Sequence, residues 1–170
     1  MQWRHYFGKR KLASTTVEIA APIELVWATM LDVGAYGEWN PFILRIDGIA
    51  GPPAVGQVMR LLVRFSSGMT TRSTEVISRL EPPASVAGVQ RATLAYSFRG
   101  PLHTLHLVRA SRFQYLTQPA DGLTIYHTEE EFRGFFRRLV PLQGVQDGFE
   151  RHARALKTRA ESLAKRTSKG

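Results

Sequence analysis

Between Phe42 and Phe132 apolar side chains recur at every second position in successive short runs; beyond Pro141 they recur at every third or fourth. A chain ordered this way builds strands first and one long helix last, each with an apolar face to bury. The runs are Phe42–Ile49, Gln57–Phe65, Thr70–Leu80, Val86–Arg99, Arg109–Gln118 and Leu123–Phe132. Gly51-Pro52-Pro53, Pro82-Pro83 and Asp121-Gly122 punctuate them, and short connections of this kind favour an antiparallel meander. Strands and helices do not alternate, which disfavours a doubly wound parallel sheet. In the last segment Leu142, Val145, Phe149, Ala153, Leu156, Ala160 and Leu163 form one stripe on a helix starting near Pro141. Gly144 and Gly148 lie one turn apart inside it; each costs about 1 kcal/mol relative to alanine, so close approach or local flexibility has to justify them.

Ahead of the meander, Thr15–Ala20 reads as a strand running into a helix. Pro22 suits the first helical turn, Glu24 favours its positive end, and Ile23, Val26, Trp27, Met30 and Leu31 share one face. A short second helix around Ala35–Trp39 stops at Asn40-Pro41. The expected architecture is α+β: a curved antiparallel seven-stranded sheet wrapped around a long C-terminal helix, with two short helices between strands 1 and 2. A concave sheet does not close tightly on a helix about 10 Å across, and the gap is filled by side chains or forms a ligand pocket.

Composition narrows the function. The 170 residues carry a net charge of +9, but residues 1–13 contribute +4, residues 150–170 contribute +5, and the body between them is neutral. A nucleic-acid-binding domain usually spreads its basic footprint over a folded face, so this distribution argues against sequence readout. It fits weak attraction of the two tails to a polyanion such as ribosomal RNA, or to an anionic surface. There is no cysteine, hence neither a thiolate metal site nor a thiol nucleophile. No apolar run approaches a membrane span and no apolar stretch follows a short basic start, so a cytoplasmic location is expected. Residues 1–13 read as a basic, aromatic N-terminal tail and 14–166 as a single domain.

Several segments resemble one family. Val17-Glu18-Ile19-Ala20-Ala21-Pro22-Ile23-Glu24-Leu25-Val26-Trp27, Tyr36-Gly37-Glu38-Trp39-Asn40-Pro41-Phe42 and Glu130-Glu131-Phe132-Arg133-Gly134 are similar to motifs of the START-like, helix-grip superfamily, in its polyketide cyclase/dehydrase and lipid-transport branch. The resemblance spans about residues 15–165; Leu102–Leu107 and Glu129-Glu130-Glu131 depart from it. It implies the helix-grip fold and an internal cavity for a lipid, quinone or polyketide-like molecule. Activity does not follow, because the superfamily holds cyclases, carriers, receptors and chaperone activators.

Alternation assigns Met59, Leu61, Phe65, Val76, Leu94, Tyr96, Phe98, Phe113, Tyr115, Tyr126, Val145 and Phe149 to the ligand-facing set. Glu130, in phase with Tyr126, Thr128 and Phe132, turns toward the concave face, where desolvation would raise its pKa and suit it to proton transfer. With Tyr96 and Tyr115 it forms the candidate catalytic set of a cofactor-independent cyclase or dehydratase. The alternatives stay open: Glu130 paired with an arginine or capping the Trp39–Pro41 turn, and the tyrosines as core aromatics with satisfied hydroxyls. Arg109 and Arg112 either reach the pocket mouth or sit on solvated strand positions. His103 and His106 lack a third ligand nearby, so no metal is expected, and no nucleotide, phosphate-loop or hydrolase signature calls for a cofactor.

Overall fold

The computed structural model describes residues 11–100, 109–120, 122–133 and 141–168. Seven antiparallel strands form one sheet: β1 (Lys11–Ile19), β2 (Ile43–Asp47), β3 (Val58–Arg64), β4 (Thr70–Val86), β5 (Val89–Phe98), β6 (Arg109–Pro119) and β7 (Thr124–Arg133), in the order β1-β7-β6-β5-β4-β3-β2. Consecutive strands from β2 to β7 are neighbours, while β1 pairs with β7 at the far end. The chain therefore crosses from one edge to the other between β1 and β2, through α1 (Ile23–Leu31), a single 3₁₀ turn at Val33–Ala35, and α2 (Tyr36–Trp39). The final helix, α3 (Leu142–Thr167), packs in the concavity and along β1.

Two sequence boundaries move. β1 begins at Lys11, so Lys11–Ala13 belong to the sheet, where they pair with Phe132, Glu131 and Glu130; residues 1–10 of the expected tail lie outside the described residues. β4 runs on to Val86, because Pro82 and Pro83 fall in a register irregularity between Glu81 and Ala84. Prolines are tolerated at such a bulge, where no ladder N–H is required. A second bulge in β4 lies between Ile77 and Arg79, and one in β2 between Ile43 and Arg45. Bulges increase local twist and bend the sheet. The β4–β5 turn places Ala87 at φ 53° and Gly88 at φ 78°, the paired positive φ values of a two-residue hairpin that follows the strand twist.

Polar side chains of α3 satisfy the free edge of β1. Gln146 accepts from the Ser14 N–H (2.9 Å) and donates to the Ser14 carbonyl (2.8 Å), as a neighbouring strand would. Glu161 accepts from the Ala20 N–H (2.9 Å), and Lys157 donates to the Glu18 carbonyl. At the other edge Arg151 donates to the carbonyls of Pro41 and Arg64, both at 3.0 Å. The edge strand is thus capped against pairing with another chain, and the helix is fixed to both margins of the sheet.

Asn40 ties the remaining junction. Its Oδ1 accepts from the Phe42 and Ile43 N–H groups (3.0 and 2.9 Å), so its Nδ2 donates to Nδ1 of His152 on α3 (2.8 Å). That bond fixes the imidazole tautomer, leaving the proton on Nε2. Asn40 and His152 are both buried. Asn40→Ala would strand two buried N–H donors, at 1–3 kcal/mol each. A loss of roughly 3 kcal/mol is expected, read as a lower urea midpoint at unchanged denaturant slope.

Candidate functional site

Between the concave face and α3 lies a cavity of about 590 Å³. Its wall is apolar: Phe42, Leu61, Val63, Phe65, Phe98, Phe132, Val145 and Phe149 all face it. Exposed Thr71, Arg72 and Pro141 mark its open end. The two helix glycines allow α3 to approach the aromatic wall. A Cβ on Gly148 would stand 2.2 Å from Phe42 Cε2, and one on Gly144 would stand 3.1 Å from Phe65 Cδ1. Phe42 meets Phe65 and Phe149 edge-on, each at 6.1 Å between centroids, so the glycine seats the ring that shapes the cavity. Close approach, rather than flexibility, is the reason for these glycines.

The inner end is polar and charged. Arg112 on β6 is 3% exposed yet faces the cavity. Its Nε donates to Thr128 Oγ1 (3.0 Å), Nη1 to the Tyr96 hydroxyl (3.1 Å) and Nη2 to the Tyr126 hydroxyl (3.4 Å). The guanidinium lies over the Phe149 ring, 4.0 Å from its centroid, an arrangement worth up to about 2 kcal/mol when desolvated. Burial opposes its charge, but Tyr96, Tyr126 and Glu130 outweigh that and hold its pKa above the ordinary value. Tyr126 passes its own proton to Gln114 Oε1 (2.8 Å).

Two carboxyls share this end. Glu130 is directly across from Arg112 in the β6–β7 register and is half-buried against the cavity. Burial pushes its pKa up to about 7 although Arg112 pulls the other way. Glu75 on β4 is buried and also lines the cavity. Its pKa rises to about 8, mainly through burial, with a lowering hydrogen bond from Ser73 and a raising influence of Glu130. Behind the wall, burial and then Arg112 push His152 well below the imidazole range, so it stays neutral; its ring stacks on Tyr126 at 6.1 Å.

The expected set divides. Leu61, Phe65, Tyr96, Phe98, Val145, Phe149 and Glu130 face the cavity. Met59 and Leu94 instead surround a separate void of about 20 Å³ beside α1 and α2, and Tyr126 lies beneath Arg112 without reaching the wall. Val76, Phe113 and Tyr115 are corrections, for all three lie on the convex face. On β6 the buried positions are Ala110, Arg112, Gln114 and Leu116, which turns Phe113 and Tyr115 outward, where they stack on each other at 6.0 Å. Tyr115 then stacks on His127 and leaves the candidate catalytic set. On β4, Glu75 and Ile77 point inward, so Val76 cannot. Arg112 is buried, not solvated. Glu75 and His152 escape a reading that assigns large apolar residues inward, and Arg112 is placed there only at the pocket mouth or on a solvated position; a strict two-residue count from Leu116 turns Arg112 inward, and a helical step between Phe149 and Leu156 does the same for His152. His103 and His106 lie outside the described residues.

A model of the family described as polyketide cyclase/dehydrase and lipid transport matches residues 11–161. The chain belongs to this family. No curated protein matches it in sequence. Among solved structures it is similar to a START superfamily protein from Mycobacterium smegmatis, with 21% identity and TM-score 0.64, covering 91% of this chain and 99% of that one. It is also similar to the Zhui aromatase/cyclase from Streptomyces sp. R1128, with 18% identity and TM-score 0.65, covering 90% and 94%. The di-domain aromatase/cyclase BexL is matched over 91% of this chain at 17% identity and TM-score 0.61, and the chain spans only half of BexL's length. At these identities the likeness shows the fold alone. No described helix is long and apolar enough to cross a membrane.

The two carboxyls set a pH dependence. A raised folded-state pKa means the native protein holds protons that the unfolded chain releases, so stability falls as pH climbs from about 4.5 towards 8. Glu75→Gln removes the Glu75 share of this loss and leaves that of Glu130. It should match the parent near pH 4.5 and exceed it by roughly 4 kcal/mol at pH 9, measured by urea unfolding across pH.

Proposed function

We propose that the chain binds a small, mostly apolar molecule in this cavity, with an oxygen acceptor of the ligand held at the Arg112–Tyr96 end. A volume of about 590 Å³ falls within the range of small-molecule pockets, which pair apolar walls with a few convergent polar groups. The family's own description includes lipid transport. One observation carries the reading. Of the five guanidinium N–H donors, three have acceptors, leaving one on each terminal nitrogen without an acceptor among the described residues. The Tyr96 hydroxyl accepts from Arg112, and its own proton likewise has no described acceptor. Buried donors without partners are costly, and a ligand oxygen satisfies them. Lipids, quinones and polyketide-like molecules all present such an oxygen.

A second reading is favoured by the near-neutral acids: an enzyme of the cyclase or dehydratase type. Glu130 would remove a proton beside a carbonyl, while Arg112 and Tyr96 hold the resulting enolate oxygen. Tyr115 has no part in this version.

The neutral dye N-phenyl-1-naphthylamine tests the binding reading. Its fluorescence should rise on addition of the protein, and Ala110→Phe, which fills the wall at a buried cavity-facing position, should weaken binding at least tenfold in a folded protein. Equal binding by both proteins would place the dye elsewhere and defeat the proposal.

A further inference from the structure

We infer that the preferred ligand is an apolar monocarboxylate, whose carboxylate pairs with Arg112 while Glu130 takes up a proton from solvent. The inference rests on the binding reading above and names its ligand class. Arg112 is a buried cation with no carboxylate oxygen within 4.0 Å among the described residues, although eight other ion pairs occur there. A buried charge is stable when paired and fully hydrogen-bonded, and here the resident partners are hydroxyls and a phenyl ring. The two unspent N–H groups, one on each terminal nitrogen, are the number a carboxylate engages with its two oxygens. A neutral carbonyl offers a single oxygen and no compensating charge.

The other charged and titratable groups facing the cavity are Glu75 and Arg72 from β4, Glu130 from β7 and Tyr96 from β5. Arg72 is exposed at the mouth, and β2, β3 and α3 contribute only apolar side chains. Behind the wall, His152 is neutral, while Tyr36 and Tyr126 are held protonated, chiefly by burial. Among the described residues, an incoming carboxylate therefore meets Glu130 and Glu75 as its nearby acids. Like charges at close quarters do not ionise together in a desolvated site. Glu130, sitting across from Arg112, gives way by protonation and leaves the guanidinium to the ligand.

Isothermal titration with 2-naphthoic acid and 2-naphthamide, matched in shape and differing in charge, tests this in two buffers of different ionisation enthalpy. At pH 6.5 the acid should bind at least tenfold tighter than the amide. At pH 7.5 its binding should take up about one proton, and its affinity should fall at least tenfold between pH 6.5 and 8.5 while the amide's stays level. Glu130→Gln should keep the preference for the acid, reduce the proton uptake and flatten the pH dependence. Equal affinities, or a preference for the acid without proton uptake, would overturn the inference. If N-phenyl-1-naphthylamine binds and 2-naphthoic acid does not, the inference fails alone; if no probe binds, the binding reading fails with it.

Discussion

A guanidinium buried inside an apolar cavity is the constraint around which this fold is organised. Moving such a charge out of water costs several kcal/mol even after relaxation, so everything within reach of Arg112 has to answer it. Thr128 and Tyr126 do so from β7, Tyr96 from β5 and Phe149 from α3. Three adjacent strands and the helix thereby agree on one register. A slip of one residue in β6 would turn Arg112 to the convex side and bring Phe113 in, leaving three hydroxyls without their donor. The polar knot thus specifies the sheet as firmly as the apolar core does.

The cavity survives because the helix is held off the sheet at its margins and allowed close only where glycine permits. Gln146 and Glu161 hold α3 to the backbone of β1 and its flank, and Arg151 holds it to carbonyls beside β2 and β3. Between those anchors Phe42 sits against Gly148 and blocks further collapse. Side-chain volumes alone would favour closing the gap, since each cubic ångström of unfilled apolar space costs about 24 cal/mol. The hydrogen-bonded frame resists that closure, and an apolar ligand removes the reason for it.

The architecture was legible in the sequence because period and punctuation are backbone properties. Six runs of alternation, Pro22 ahead of α1 and the stripe from Val145 to Ala160 fix element type and order whatever fills the interior. The site was legible only where inside meant apolar or where alternation was counted from a secure neighbour. Glu130 is placed by its phase with Phe132 and Tyr126, whereas Arg112 is left between the pocket mouth and a solvated position because Phe113 and Tyr115 are better apolar candidates for the same strand. A polar residue at an inward position looks like a surface residue until partners from distant strands are known. Thr128 lies 16 residues from Arg112 in the chain, and so does Tyr96, on the other side. No local pattern connects them. The start of β1 at Lys11 was hidden differently, by basic residues that suit a solvated edge strand as well as a tail.

In the two proposed readings the same three groups, Arg112, Tyr96 and Glu130, serve binding or proton transfer, and the ligand's charge decides between them. A base must be ionised when substrate is present. Glu130 meets that condition near neutrality only while Arg112 is the dominant charge facing it. A neutral ketone leaves this balance intact: its oxygen takes the guanidinium and Tyr96 donors, and the carboxylate remains free to remove a proton. A carboxylate ligand reverses it, since a second anion beside Arg112 raises the pKa of Glu130 and disarms it as a base. Carriage of a monocarboxylate and base catalysis on that ligand therefore exclude each other at this site, though the cavity can host either. In this chain the proposed carrier and cyclase readings therefore part on whether the occupant competes with Glu130 for Arg112, which is a matter of electrostatics and requires no change in the residues that line the wall.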